Sequence, residues 1–275
     1  MMINRGTKIL SRRKLCLILF FIFMAVGNPS LSFSQARMPP ISITVLYDNY
    51  PSRQGLNTGQ GFSCLIQGTE KTVLFTTGGE EAEALFQSFA AVHVDPSDVD
   101  LIVISQAEAG PIGGLLRILA KKGGGQVFLP ASVPRHLSEQ IETVKGRVVL
   151  VTDPVSVCEG VFSTGQISRE QALVVDTPEG LVILTGCARA GVVEVVEKAK
   201  SVMPKDIYLV MGGFHFEQQT EAALSPIVRR LRELGVKNLG ATHCTGERAV
   251  ALLKKDFGKN YIALTVGEPI IIRYY

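Results

Sequence analysis

Apolar residues alternate from Ile41 through Ile43 and Val45 to Tyr47, the period of a half-buried strand. Apolar runs at Phe62–Gln67 and Thr72–Thr76 predict further strands. From Glu80 to Val92 the period changes, and Leu85, Phe89 and Val92 fall on one face of a helix. The chain then predicts a strand at Leu101–Ile104, a helix over Gly114–Lys122, a strand at Val127–Leu129, a helix over His136–Val144 and a strand at Val148–Val151. The second half repeats the style. Strands over Ala172–Asp176 and Leu181–Leu184 flank the hairpin turn Thr177-Pro178-Glu179-Gly180. A helix over Val192–Val202 and a strand at Ile207–Val210 follow. Ser225–Pro226 reads as N-cap and first turn of a helix with Ile227, Leu231 and Leu234 inward, closed by Gly235. A strand near Leu239, a helix over Glu247–Phe257 and strands at Ile262–Thr265 and Pro269–Ile272 complete the pattern. No long linker divides the halves, so one α/β domain is expected from residue 41 to residue 275, a mixed sheet system with helices outside.

Composition changes this picture only at the N-terminus. Hydrophobic residues make up 46% of the 275, enough for a sizeable core, and the formal charge is +3. Residues 1–36 hold Arg5, Lys8, Arg12, Arg13 and Lys14 and no acid, which leaves 23 basic against 25 acidic residues, or −2, in the remainder. A body so nearly neutral argues against nucleic acid or a membrane surface as a partner held by bulk charge. Arg12-Arg13-Lys14 runs into the apolar stretch Leu15–Val26, and Ser34-Gln35-Ala36 closes the segment. That is the form of a signal peptide over 1–36, with cleavage near Ser34 or Ala36 and a domain over 37–275. A periplasmic or secreted location is the expectation, with a membrane as partner only if the segment stays uncleaved, since a comfortable span needs about twenty apolar residues. Cys16 opens the apolar run instead of following it, so no lipid anchor is indicated. Export leaves Cys64, Cys158, Cys187 and Cys244, free to pair or to stay as thiols.

Chemistry gathers at strand ends. Ser105–Gly114, Thr185–Arg189, Gly212–Phe216 and Thr242–Gly246 are short, glycine-bearing loops, the kind of segment on which a rigid scaffold exposes reactive groups. The first of them, SQAEAGPIGG, has no His, Asp or Cys.

In order, "ITVLYDN", "GFSCLIQ", "TVLFTTGG", "DVDLIVISQAEAGPIGGL", "EQALVVDTPEGLVILTGCARAG", "GGFHF" and "THCTG" resemble the metallo-β-lactamase fold superfamily. The branch they are most similar to is that of dihydropterinyl-methyl ribofuranosylaminobenzene phosphate synthase. The resemblance covers nearly all of 41–275 and implies an αββα sandwich, two mixed sheets with helices outside, and an active site along one sheet edge. It also implies two divalent ions held by a Ser-His-x-His-x-Asp-His-x-Gly-Gly loop. Here those four ligand positions are Gln106, Glu108, Gly110 and Pro111, followed by Gly113–Gly114. The family's Phe-Asp-Thr-Gly is Phe75-Thr76-Thr77-Gly78, and its Thr-Gly-Cys-Ser-His ends in Arg189. His215 and His243 do match family histidines.

Such a loop is a metal-binding turn without its ligands. Catalytic zinc needs about three protein donors and an open position. Gly110 and Pro111 supply none, Gln106 is a poor ligand, and Arg189 brings a fixed positive charge where a cation should sit. Two readings follow. In the first, the chain is a binding or regulatory pseudoenzyme, with Arg189 and Glu108 binding a small anionic ligand, or with an envelope protein as partner. In the second, it is a metal-dependent hydrolase or transferase with an atypical mononuclear site. That site would hold one zinc or iron among His215, His243, Glu108, Cys187 and Cys244; the plainer reading leaves these histidines as remnants and the cofactor as none. Thr185, Thr242 and Thr245 offer hydroxyls without a base–nucleophile pair, so no catalytic residue is assigned. His93 and His136 stand in no motif and are expected at the surface. Phosphate-loop, nucleophile-elbow and dinucleotide fingerprints are all missing from the sequence. The synthase's substrates are cytosolic metabolites that an exported chain would rarely meet, so they are not carried over with the fold.

Overall fold

The structure is a computed structural model that describes residues 39–49, 55–56, 59–79, 82–106 and 112–274, with the side chains of 112, 113 and 243 outside the description. The segment expected to direct export, 1–36, lies outside the described residues. No helix among the described residues is long and apolar enough to cross a membrane.

Two sheets face each other. The first joins β1 (Ile41–Tyr47), β2 (Ser63–Gln67), β3 (Val73–Phe75), β4 (Leu101–Val103), β5 (Gly125–Pro130), β6 (Gly146–Val151) and β13 (Pro269–Ile272), in the order β13-β1-β2-β3-β4-β5-β6. The second joins β7 (Val155–Cys158), β8 (Val161–Ile167), β9 (Glu170–Thr177), β10 (Gly180–Thr185), β11 (Ile207–Gly213) and β12 (Val236–Thr242), in the order β12-β11-β10-β9-β8-β7. Each sheet is mixed: β3 to β6 run parallel, as do β10 to β12, while the other neighbours are antiparallel. Helices α1 (Ala82–Ala91), α2 (Ile112–Lys122) and α3 (Arg135–Thr143) cover the first sheet, and α4 (Val192–Val202), α5 (Glu221–Glu233) and α6 (Glu247–Phe257) the second.

The continuous apolar runs have a direct cause: these strands are covered on both faces. Along β9, Leu173 and Val175 point between the sheets while Val174 points to the helices; in β10, Val182 and Leu184 point in while Ile183 points out. The same alternation sends Cys64, Ile66, Phe75 and Val103 inward and Leu65, Leu74 and Ile102 outward. Outer-face residues meet Leu85, Phe89, Ile118 and Ile141 on one side and Val195, Val196, Leu231 and Leu253 on the other. The result is the αββα sandwich that the resemblance implied.

Three departures from the sequence reading have physical reasons. The β7–β8 hairpin escapes the pattern because β8 buries Ser163 and Thr164, whose hydroxyls bond Gln171 and the carbonyls of Gly165 and Ala172. Helix α5 begins a turn earlier than Ser225. Thr220 is its cap, its hydroxyl accepting from the Ala223 N–H, while Ser225 donates back to the Glu221 carbonyl and Pro226 stands inside the helix. Ile262–Thr265 is not a strand: beyond one bridge between Leu239 and Tyr261 it runs as an extended segment, with Leu264 closing over the side-chain-free Gly240.

Candidate functional site

The C-terminal ends of β3 and β4 meet those of β10, β11 and β12 at one edge of the sandwich. A side chain on Gly186, just past β10, would run into the Ser105 hydroxyl, past β4, and approach Thr76, past β3. Strand β9 stitches the same seam: the Gln171 N–H donates to the Ser105 carbonyl at 2.7 Å, its amide side chain reaches the Ile104 carbonyl, and Gln106 bridges to Glu170. Three non-glycine residues with left-handed backbone sit on this edge, Thr76 (φ 59°), Ala188 (φ 46°) and His215 (φ 55°). Each such conformation costs about 1–3 kcal/mol and persists where the surroundings fix it, typically at functional sites.

Thr76, at 8% exposure, donates its hydroxyl to the Phe62 carbonyl, and its own carbonyl accepts from Ser63. Its side chain is thus spent on joining loops. Arg189 is exposed at the end of the loop after β10. Glu170, which the sequence did not single out, lies near enough to feel its charge. Its carboxylate accepts the Ala190 N–H at 3.0 Å, and its second oxygen is buried without a partner. Burial pushes the Glu170 carboxyl above the ordinary carboxylate range, against the opposing pull of the Ala190 and Arg189 main-chain N–H groups and of the arginine charge. The Arg189 charge is the smallest of these influences on Glu170. Glu108, with Gly110 and Pro111, lies outside the described residues. The one signal for Glu170 in the sequence is a charge just ahead of the apolar run Ala172–Val175.

Beside this pair stand two thiols and an imidazole. Cys187 Sγ is 2.8 Å from Cys244 Sγ and 3.5 Å from His215 Nδ1, and the three donor atoms all lie within 4.8 Å of one another. Cys187 is buried, Cys244 half-buried and His215 exposed. No disulfide joins the described cysteines. The neighbouring Cys187 sulfur, then burial, push the Cys244 thiol well above its usual range. Thr245, fully buried, accepts the Phe214 N–H and so ties the loop after β12 to the one before His215. His243 begins the turn that holds Cys244, and its side chain lies outside the description. His93 and His136 are exposed, as expected, and Cys64 is buried between the sheets, far up its titration range through burial.

No family model matches the chain. A solved metal-dependent hydrolase of the β-lactamase superfamily superposes with a TM-score of 0.71 at 23% identity, over 85% of this chain and 100% of that one. The chain has the metallo-β-lactamase fold. A metallo-β-lactamase-fold protein of Bacillus subtilis (TM-score 0.58, 14% identity, 85% of this chain and 99% of that one) and human tRNase Z, short form (0.57, 14%, 85% and 100%), share this fold. In sequence, the 7,8-dihydropterin-6-methyl-4-(β-D-ribofuranosyl)-aminobenzene-5′-phosphate synthase of Methanocaldococcus jannaschii is 25% identical over 262 residues, covering 76% of this chain and 89% of its own. An uncharacterized protein of the same organism is 21% identical over 266 residues, covering 83% of this chain and 99% of its own.

The two-ion centre of metallo-β-lactamase-fold hydrolases does not fit the described positions. Thr76 is committed to a carbonyl, Gln106 is joined to Glu170 along the backbone, and Arg189 adds a cation. Hydrolysis by that centre depends on ions that acidify water and polarise the substrate, and these three residues offer no anionic or imidazole donor for them.

Proposed function

We propose that the chain is an exported metallo-β-lactamase-fold protein that does not hydrolyse, a binding or regulatory pseudoenzyme taking a small anionic ligand at the old active-site edge. The observation that carries this reading is Arg189: an exposed arginine stands where the resemblance puts a metal-binding histidine, near enough for Glu170 to feel its charge. A guanidinium binds carboxylate or phosphate through paired hydrogen bonds and repels a metal ion. Glu108 is its expected helper in holding the ligand, and an envelope protein is the other partner such an edge would serve. Export is supported by the basic stretch Arg12-Arg13-Lys14 before Leu15–Val26. The synthase relative handles phosphorylated compounds by its name; here only the anionic character is carried over.

The test is turnover by the full chain of phosphomonoester, phosphodiester, lactone and β-lactam probes, each with excess zinc or manganese. No turnover above the metal-only background is expected, together with calorimetric binding of inorganic phosphate that Arg189→Ala removes. Metal-stimulated hydrolysis that follows the protein would overturn the reading. A second reading, a hydrolase or transferase with an atypical mononuclear site, is favoured by one observation, the gathering of Cys187, His215 and Cys244. His215 and His243 are the remnant ligands that reading assigns, with zinc or iron as the ion.

A further inference from the structure

Strands β10, β11 and β12 lie side by side and parallel, and each is followed by one metal-binding side chain at the same offset. Cys187 comes two residues after Thr185, His215 two after Gly213 and Cys244 two after Thr242, the last residues of the three strands. We propose that Cys187, His215 and Cys244 bind a single thiophilic metal ion, zinc(II) or copper(I), through two sulfurs and one imidazole nitrogen. The site uses other residues than the ion-binding loop of the fold. It supplies the metal that the second reading above requires, and it stands equally in a protein that hydrolyses nothing.

Geometry supports the ion. With zinc–sulfur bonds of about 2.3 Å and zinc–nitrogen bonds of about 2.0 Å, tetrahedral ligands sit about 3.5 Å apart for sulfur and nitrogen and about 3.8 Å for two sulfurs. Cys187 and His215 already stand at 3.5 Å. The sulfurs, at 2.8 Å, need to part by about 1 Å, a side-chain rotation. Thiolate and imidazole are the donor set that selects zinc and copper(I) over the harder magnesium, calcium and manganese ions. Binding forms two metal–sulfur bonds and one metal–nitrogen bond, releases the two thiol protons to solvent and changes no oxidation state. Two thiolates neutralise zinc(II), so the site needs no further anion. Buried Cys187 closes the inner side, whereas exposed His215 leaves the outer side open to a fourth ligand, water or a small anion. A disulfide would use the two sulfurs alone. The third donor, on a backbone held at φ 55°, is what favours a metal.

The test is titration of the reduced, metal-free full chain with cobalt(II) under argon. One equivalent should develop the thiolate-to-cobalt charge-transfer absorption and the intense visible bands of a tetrahedral ion, and one equivalent of zinc(II) should remove both. Competition against chelators with zinc(II) and copper(I) in separate arms then identifies the ion. Cys187→Ser and Cys244→Ser should each weaken binding by about 100-fold or more. His215→Asn keeps a residue that tolerates left-handed backbone and, at an exposed position, leaves the fold intact; it should also weaken binding while retaining the charge-transfer band. Cys158→Ser should change nothing. The proposal is overturned if cobalt gives no thiolate band, if the band keeps its full intensity and affinity in both cysteine variants, or if protein purified without reductant carries a Cys187–Cys244 disulfide and takes up no metal after reduction. Failure here leaves the non-hydrolytic reading standing, and metal-dependent turnover overturns that reading without touching this one.

Discussion

Among single residues, Glu170 has the clearest energetic consequence. A buried carboxylate with one unpartnered oxygen is costly, and its carboxyl is held above the ordinary range by burial. The native state therefore binds the proton more readily than the unfolded chain. Between the unfolded value, about 4.3, and the raised native one, stability falls as pH rises, and above that window the full cost of ionisation is present. Glu170→Gln removes the charge while keeping an acceptor for the Ala190 N–H. It should stabilise the protein at neutral pH by about 1 kcal/mol, with the gain shrinking as pH falls through the window. Denaturant midpoints of both proteins across a pH series read this directly, and a gain that persists below pH 4 would sink the assignment. The sequence did offer Cys187, His215 and Cys244 as donors, because thiols and imidazoles advertise themselves by type. It did not offer Glu170 as a buried acid at the same edge. Its place there shows in the bridge between Gln106 and Glu170, a contact between distant parts of the chain that no local pattern carries.

Elements were legible where burial made the pattern simple. Helices α4 and α6 fall on the expected residues, and β1 does too, because each shows one clean period of buried apolar positions. The β7–β8 hairpin was hidden by polar residues satisfied inside the protein, a condition that hydrophobic periodicity cannot register. The start of α5 was misplaced because Ser-Pro is a strong cap signal and Thr220 a weaker-looking one five residues earlier. Only Thr220 has its side chain on a first-turn N–H. Thr220→Ala should therefore cost about 1 kcal/mol, while Ser225→Ala, which loses only a hydroxyl bonded back to Glu221, should change stability by less than about 0.5 kcal/mol. Thermal unfolding of the two variants decides between the two starts, and the reverse order would restore the sequence reading.

For the molecule as a whole, three apolar layers divide the work of cohesion: one between the sheets and one beneath each set of helices. Leu184 belongs to the middle layer, fully buried, two strands in from the second sheet's edge at β12. Leu184→Ala should cost about 3 kcal/mol by equilibrium denaturation, whereas truncating the exposed Leu150 should cost under about 0.5 kcal/mol. A comparable loss at both positions would mean the middle layer is not the main source of stability.

The middle one of the three parallel strands ends on glycines. At Gly212 even a methyl group would strike the Thr185 carbonyl of the neighbouring strand. Strands in a sheet lie about 4.8 Å apart, so Cys187 and Cys244, rooted on strands either side of β11, start about twice that distance from each other. Their sulfurs nevertheless stand 2.8 Å apart across the end of β11. Alanine at 212 would have to push β10 away from β11, and with it the strand end that leads to Cys187.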